Sequence, residues 1–164
     1  VSAGSQEWRV LVGAAADGDL AQPYRYTTAT PAPGWNQPAF DDSAWATALA
    51  PFGTINNPRT EWRTSDIWLR RSFEWDGADV KAAALVICHD EITEVYVNGQ
   101  KFWERGGYNT SYEIFNITEA LKKALKRGRN SLAVHTHQTV GGQFIDLALL
   151  VEAAGKTTTM AGSR

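Results

Sequence analysis

The sequence predicts an all-β fold, an antiparallel β-sandwich of the jelly-roll kind carrying one short helix. Three observations predict it. Short β-forming segments bounded by Gly, Pro, Asn or Asp recur at uneven spacing. A single segment of helical period interrupts them after Asn116. The alternation of strands and helices that a parallel α/β sheet needs is missing.

The elements follow in chain order. The first third, up to Pro58, holds the prolines and reads as loop with short strands. In Ile67 to Trp75, Ile67, Leu69, Phe73 and Trp75 share one face and Arg70, Ser72 and Glu74 the other. Ala84 to Cys88 is a continuous apolar run, the pattern of a strand covered on both sides. Asn98-Gly99 between two β-forming runs supplies the positive-φ pair of a type I′ hairpin turn. Asn116 with Glu119 three residues on predicts a capped helix. Leu121 and Leu125 form its buried side and Gly128 its stop. Strands return at Ser131 to His137 and, after Gly141-Gly142, at Phe144 to Glu152.

At 164 residues the chain is expected to form one domain over 1–153, with 154–164 as a flexible C-terminal tail or linker. Sixteen basic against eighteen acidic residues argue against a nucleic-acid partner. No apolar stretch is long enough for a membrane helix, so no membrane partner is expected. Cys88 is the lone cysteine, which excludes an internal disulfide and a multi-cysteine zinc site. Seven Trp, six Phe and five Tyr exceed what a core of this size uses, and leave aromatic rings for a ligand.

Several motifs occur in an order that carries a family resemblance. They are Phe40-Asp41-Asp42-Ser43-Ala44-Trp45, Ala50-Pro51-Phe52-Gly53 and Ile67-Trp68-Leu69-Arg70-Arg71. Val95-Tyr96-Val97-Asn98-Gly99, Gly128-Arg129-Asn130-Ser131-Leu132-Ala133-Val134 and Gly141-Gly142-Gln143 follow. Together they resemble the galactose-binding-domain-like jelly roll, the fold of the sugar-binding domain of β-galactosidase-type glycoside hydrolases and of many carbohydrate-binding modules. The resemblance spans about residues 6–153. It implies a module that binds polysaccharide or oligosaccharide beside an attached catalytic domain, sometimes with a structural calcium. It also implies a secreted protein, extracellular or periplasmic. No cofactor is required.

If the strands alternate in direction, loops 54–66, 89–93 and 138–143 share one end of the sandwich. That end carries Trp62, Arg63, His89, Asp90, Glu91, His137, Gln138 and Gln143. An indole can cover the C–H face of a pyranose while carboxylate, amide and guanidinium groups bond its hydroxyls. Trp62 serves as such a platform or caps the end of the core. A second aromatic cluster, Trp103, Tyr108 and Tyr112, either offers rings on a glycine-rich loop or packs inward. Asp41 and Asp42 form an Asx turn or, joined by Glu152, an oxygen site for calcium. Catalysis is not expected: a glycosidase holds two carboxylates across the scissile bond, and adjacent Asp90 and Glu91 would face opposite sides of a strand.

Overall fold

The computed structural model describes residues 5–14 and 23–155. Two six-stranded sheets pack face to face. At the centre of the first lie β7 (Val80–Asp90) and β12 (Phe144–Ala154), antiparallel along nearly their whole length. β10 (Glu113–Asn116) flanks β7. The other side of β12 is shared. β4 (Phe52–Gly53), itself paired in parallel with β5 (Thr60–Glu61), takes its start, and β1 (Gln6–Val12) takes its end.

The second sheet runs β3 (Ala46–Ala48), β2 (Tyr24–Thr27), β6 (Asp66–Trp75), β11 (Gly128–His137), β8 (Ile92–Val97), β9 (Gln100–Arg105). The core lies between the sheets, where Leu85, Ile87, Ile145, Leu147 and Leu149 meet Ile67, Leu69, Val95, Val97, Leu132 and Val134, all essentially inaccessible. Each such side chain contributes roughly 1.5–3 kcal/mol of transfer free energy. The all-β sandwich, the Ile67–Trp75 alternation and the Asn98-Gly99 turn are as the sequence predicts, with φ of 50° and 80° at the turn.

Two side chains explain the motif residues around this turn. Asn98 Nδ2 donates to the Ala124 carbonyl (2.8 Å) and Asn98 Oδ1 accepts from Ser131 N–H (2.9 Å), which pins the hairpin to β11. Buried Asn130 accepts from Lys126 N–H and donates back to the Lys126 carbonyl (2.8 and 2.7 Å), closing the turn into that strand.

Two local expectations need correction. Helix α1 spans Thr118–Ala124 and has no side-chain cap. Asn116 Oδ1 accepts instead from Thr118 N–H (3.0 Å), an Asx turn placed one step too early to cap. Gly128 opens β11 rather than stopping the helix, because the chain is already extended at Leu125. The Ala84–Cys88 run is covered on both faces except at Val86: outward-facing Ala84 and Cys88 are buried, and Val86 lies partly open beside Ile114, which is 74% exposed. Of the tail expected over 154–164, Ala154 belongs to β12 and residues 156–164 lie outside the described residues. Among the described residues no helix is long and apolar enough to cross a membrane.

Candidate functional site

The ends of β7 and β11 and the starts of β6, β8 and β12 coincide. His137 pairs with both Asp66 and Ile92, and Phe144 pairs with Asp90. The loops expected to converge therefore do. The large side chains there, however, turn inward. Trp62 is 2% exposed, and its indole N–H lies against Thr64 Oγ1 (3.0 Å) and the Asp66 carbonyl (3.2 Å). It is the cap of the core end and not a platform. Gln143 is buried, its amide donating to the Thr64 carbonyl (2.6 Å). His89 is also buried. Its Nδ1–H donates to the Glu91 carbonyl (2.6 Å), its ring meets Trp103 edge-on, and burial holds its pKa below the ordinary value. Trp103 packs on Phe115 at 5.3 Å, the inward alternative.

The smaller groups stay nearer water. Arg63 is exposed and paired with Glu61. Glu91 accepts from the Thr139 N–H and hydroxyl. Partial burial, and then the adjacent Glu91, push the Asp90 carboxyl up. His137 Nδ1–H and His135 Nε2–H both donate to Asp66 Oδ1 (2.9 and 2.7 Å). Burial alone would raise the Asp66 pKa, but these two hydrogen bonds outweigh it and hold it low. Tyr108 is 69% exposed beside Asp90.

Tyr112 belongs to a different feature. On the outer face of the first sheet, Cys88 and Phe144 form the floor of an open cleft of about 400 Å³, with Asp146 beside Cys88 in the β7–β12 ladder. Asn56, Asn57 and Arg59 line one wall, and Thr110, Ser111 and Tyr112 line the other. Asp146 is 2% exposed and accepts a hydrogen bond from the Tyr112 hydroxyl (2.6 Å). Burial, and then the Asp146 charge, push the Cys88 thiol up to about 11, so it stays protonated near neutrality.

Both walls are tied down. Arg59 and Thr60 N–H donate to the Pro51 carbonyl, and Thr54 N–H donates to that of Gln143 (2.8 Å). Asn56 and Asn57 are left-handed in succession (φ 59° and 55°), a conformation asparagine tolerates. Opposite them, the Asn109 side chain accepts from His89 N–H (2.7 Å) and donates to the Ile87 carbonyl (3.1 Å), clamping loop 106–112 onto β7. Of the ten sugar-contact residues named from sequence only Tyr112 lines this cleft. The signals that point to the rest are the Asn56-Asn57 pair and Asp146, a carboxylate inside an otherwise apolar strand.

The calcium set does not assemble. Asp41 Oδ1 accepts from Ser43 N–H (3.0 Å) as an Asx turn, and Asp42 pairs with buried Arg70 (2.9 Å) on the outer face of the second sheet. Glu152 stands on β12 of the opposite sheet. Among the described residues no cluster of three His, Cys, Asp or Glu has a metal-binding arrangement.

Fold and cleft together define a jelly-roll sandwich with a polar recess on one sheet's outer face. The sandwich fold recurs in solved glycosidases. Over 80% of this chain it matches a β-glycosidase from Bacteroides vulgatus (TM-score 0.57, 19% identity). Over 90% it matches a Bacteroides uniformis β-glucuronidase (0.60, 18%), and over 88% a glycosyl hydrolase family 2 member from Bacteroides cellulosilyticus (0.61, 16%). The chain spans only 18–20% of those three proteins. No protein-family model and no curated protein matches it. At such identities the likeness establishes the fold, that of a small β-sandwich domain found within family 2 glycosidases.

Proposed function

We propose that this chain is a non-catalytic carbohydrate-recognising module, the accessory domain of a larger secreted glycan-degrading enzyme, and that sugar occupies the cleft between Asn56-Asn57 and Tyr112. The observation that carries this reading is the lining itself. Two amides, three hydroxyls and a guanidinium surround the floor of Cys88 and Phe144, and buried Asp146 holds the Tyr112 hydroxyl. Such groups match the alternating donors and acceptors on a pyranose rim. Because both walls are already hydrogen-bonded in place, little ordering entropy is lost on binding. The short share of the matched glycosidases supports an accessory role.

Titration with a panel of soluble polysaccharides, followed by tryptophan fluorescence, tests the proposal. A saturable response that Asn56→Ala with Asn57→Ala abolishes, and Arg63→Gln leaves intact, is expected. Equal binding by both variants would remove the cleft from the account. Running the series with calcium and with chelator tests the metal.

A second reading has its own observation. On the outer face of the first sheet Trp8, Val10 and Ile114 are exposed around Leu150 and Val86, an apolar surface that a packing domain would bury against its catalytic partner. It expects self-association of the isolated chain at modest concentration, reduced by Trp8→Ser with Ile114→Ser.

A further inference from the structure

A second cleft, of about 310 Å³, opens beside the start of β2, on the far side of the sandwich from the outer face of the first sheet. Its lining includes Arg25, Arg70, Arg71 and Arg129, with Ser72, and a single carboxylate, Asp42. Three of the chain's ten arginines, Arg25, Arg70 and Arg129, thus share this outer face of a protein whose net charge is −2, while Arg71 alternates onto the core side of β6. Arg70 is spent: its Nε takes Asp42 (2.9 Å) and its Nη1 donates to the carbonyls of Trp35 and Gln37.

Arg25 and Arg129 are not. Arg9, Arg63 and Arg105 each meet a carboxylate. Among the described residues Arg25 and Arg129 meet none. Arg25 Nη1 reaches only the Trp45 carbonyl (3.2 Å), and Arg129 Nε only the Ser72 hydroxyl (3.0 Å). Arg71 is turned to the core side of β6, where it lies over the buried Tyr24 ring at 5.3 Å and hydrogen-bonds that side chain. Glu74 stands opposite Arg129 in the β6–β11 ladder but lines a separate recess beside Trp75 and Asp76.

We propose that this cleft binds an oxyanion carried on a sugar, the carboxylate of a uronic acid or a sulfate ester of an acidic polysaccharide. Guanidinium forks match planar and tetrahedral oxyanions through paired N–H donors. Ser72, which accepts from Arg129, keeps its own proton to donate. Unpaired like charges held together repel, and an anion relieves that repulsion where a neutral sugar cannot. The volume admits a sugar ring together with its charged group. The oxyanion preference stands on the arginines alone, and only the choice of a glycan as carrier rests on the carbohydrate reading above.

The test is calorimetric titration of the whole chain with polygalacturonate, dextran sulfate and neutral dextran, at low and high salt, with inorganic sulfate as the carrier-free probe. Wild type should bind one acidic polymer at least about tenfold more tightly than the neutral one, and lose that margin as salt screens it. Arg25→Gln with Arg129→Gln, both exposed positions, should remove the margin without moving the thermal melt, whereas Asn56→Ala with Asn57→Ala should keep it. Equal affinity for acidic and neutral polymers, or a double arginine variant that binds like wild type, overturns the proposal. Binding of inorganic sulfate without any polymer overturns the glycan carrier. Loss of neutral-sugar binding alone counts against the Asn56-Asn57 cleft and leaves this one standing.

Discussion

The closed end of the sandwich and the open cleft on its first sheet use the same chemical vocabulary to opposite ends. At the closed end an indole, an imidazole and an amide, from Trp62, His89 and Gln143, each donate to a backbone carbonyl out of reach of water. At the cleft, amides, hydroxyls and a guanidinium remain at the surface over one buried carboxylate. Residue type does not separate the two. What separates them is which way each loop leaves its strand, inward across the sandwich end or outward over the sheet face. A buried polar side chain that is fully paired stabilises the fold, and one left facing solvent is available to a ligand.

The sharpest way to break this contrast is at Trp62. Trp62→Ala empties a core site and should cost about 3–5 kcal/mol, read as a large drop in the thermal melt. Trp62→Phe keeps most of the volume and should leave sugar affinity unchanged. Loss of affinity in a stably folded Trp62→Phe protein would return this residue to the ligand.

Next in size is Gly53, where the two regions meet. A Cβ there would fall within the radius of the Gln143 backbone oxygen, which cannot yield without opening the β4–β12 pairing. Gly53→Ala should therefore cost about 1–3 kcal/mol and weaken sugar binding as well, since loop 54–59 hangs from that pairing. A melt like wild type would show that the loop is not anchored there.

Tyr112→Phe has a smaller effect and falls on the open cleft alone. It takes one donor from buried Asp146, a loss of about 1–1.5 kcal/mol. If the cleft holds sugar, affinity falls with it, and a melt shift without an affinity change would make the bond purely structural.

How much of this was legible in the sequence depends on what each residue answers to. Strand faces such as Ile67, Leu69 and Phe73 are dictated by a period of two and need no tertiary information. The Asn98-Gly99 turn likewise follows from the positive φ it requires. The meeting of loops 54–66, 89–93 and 138–143 follows from strand direction. Burial at those loops does not, because Trp62 and Gln143 lie outside any period and their orientation is set by contacts with Thr64 and Asp66, far along the chain from Gln143. Asn56, Asn57 and Arg59 were missed for the same reason. Asp146 was the readable exception, since a carboxylate within an apolar strand needs a partner.

The smallest expected effect is in acid, and it again divides closed end from surface. Burial depresses the His89 pKa, so the unfolded chain binds a proton near pH 6.5 that the folded one refuses. Stability from this group is complete above about pH 6.5 and is lost as pH falls through the folded value. Asp66, also depressed, adds a second loss below about pH 3.8 as its carboxylate is protonated and the His135 and His137 hydrogen bonds fail. Asp90 acts oppositely. Its raised pKa makes its contribution complete at low pH and fading as pH rises, which offsets part of the His89 loss. Thermal melts from pH 7 to 3 should thus decline in two steps, and His89→Gln should flatten the upper one only. An upper step that survives His89→Gln would take the burial of His89 out of the account.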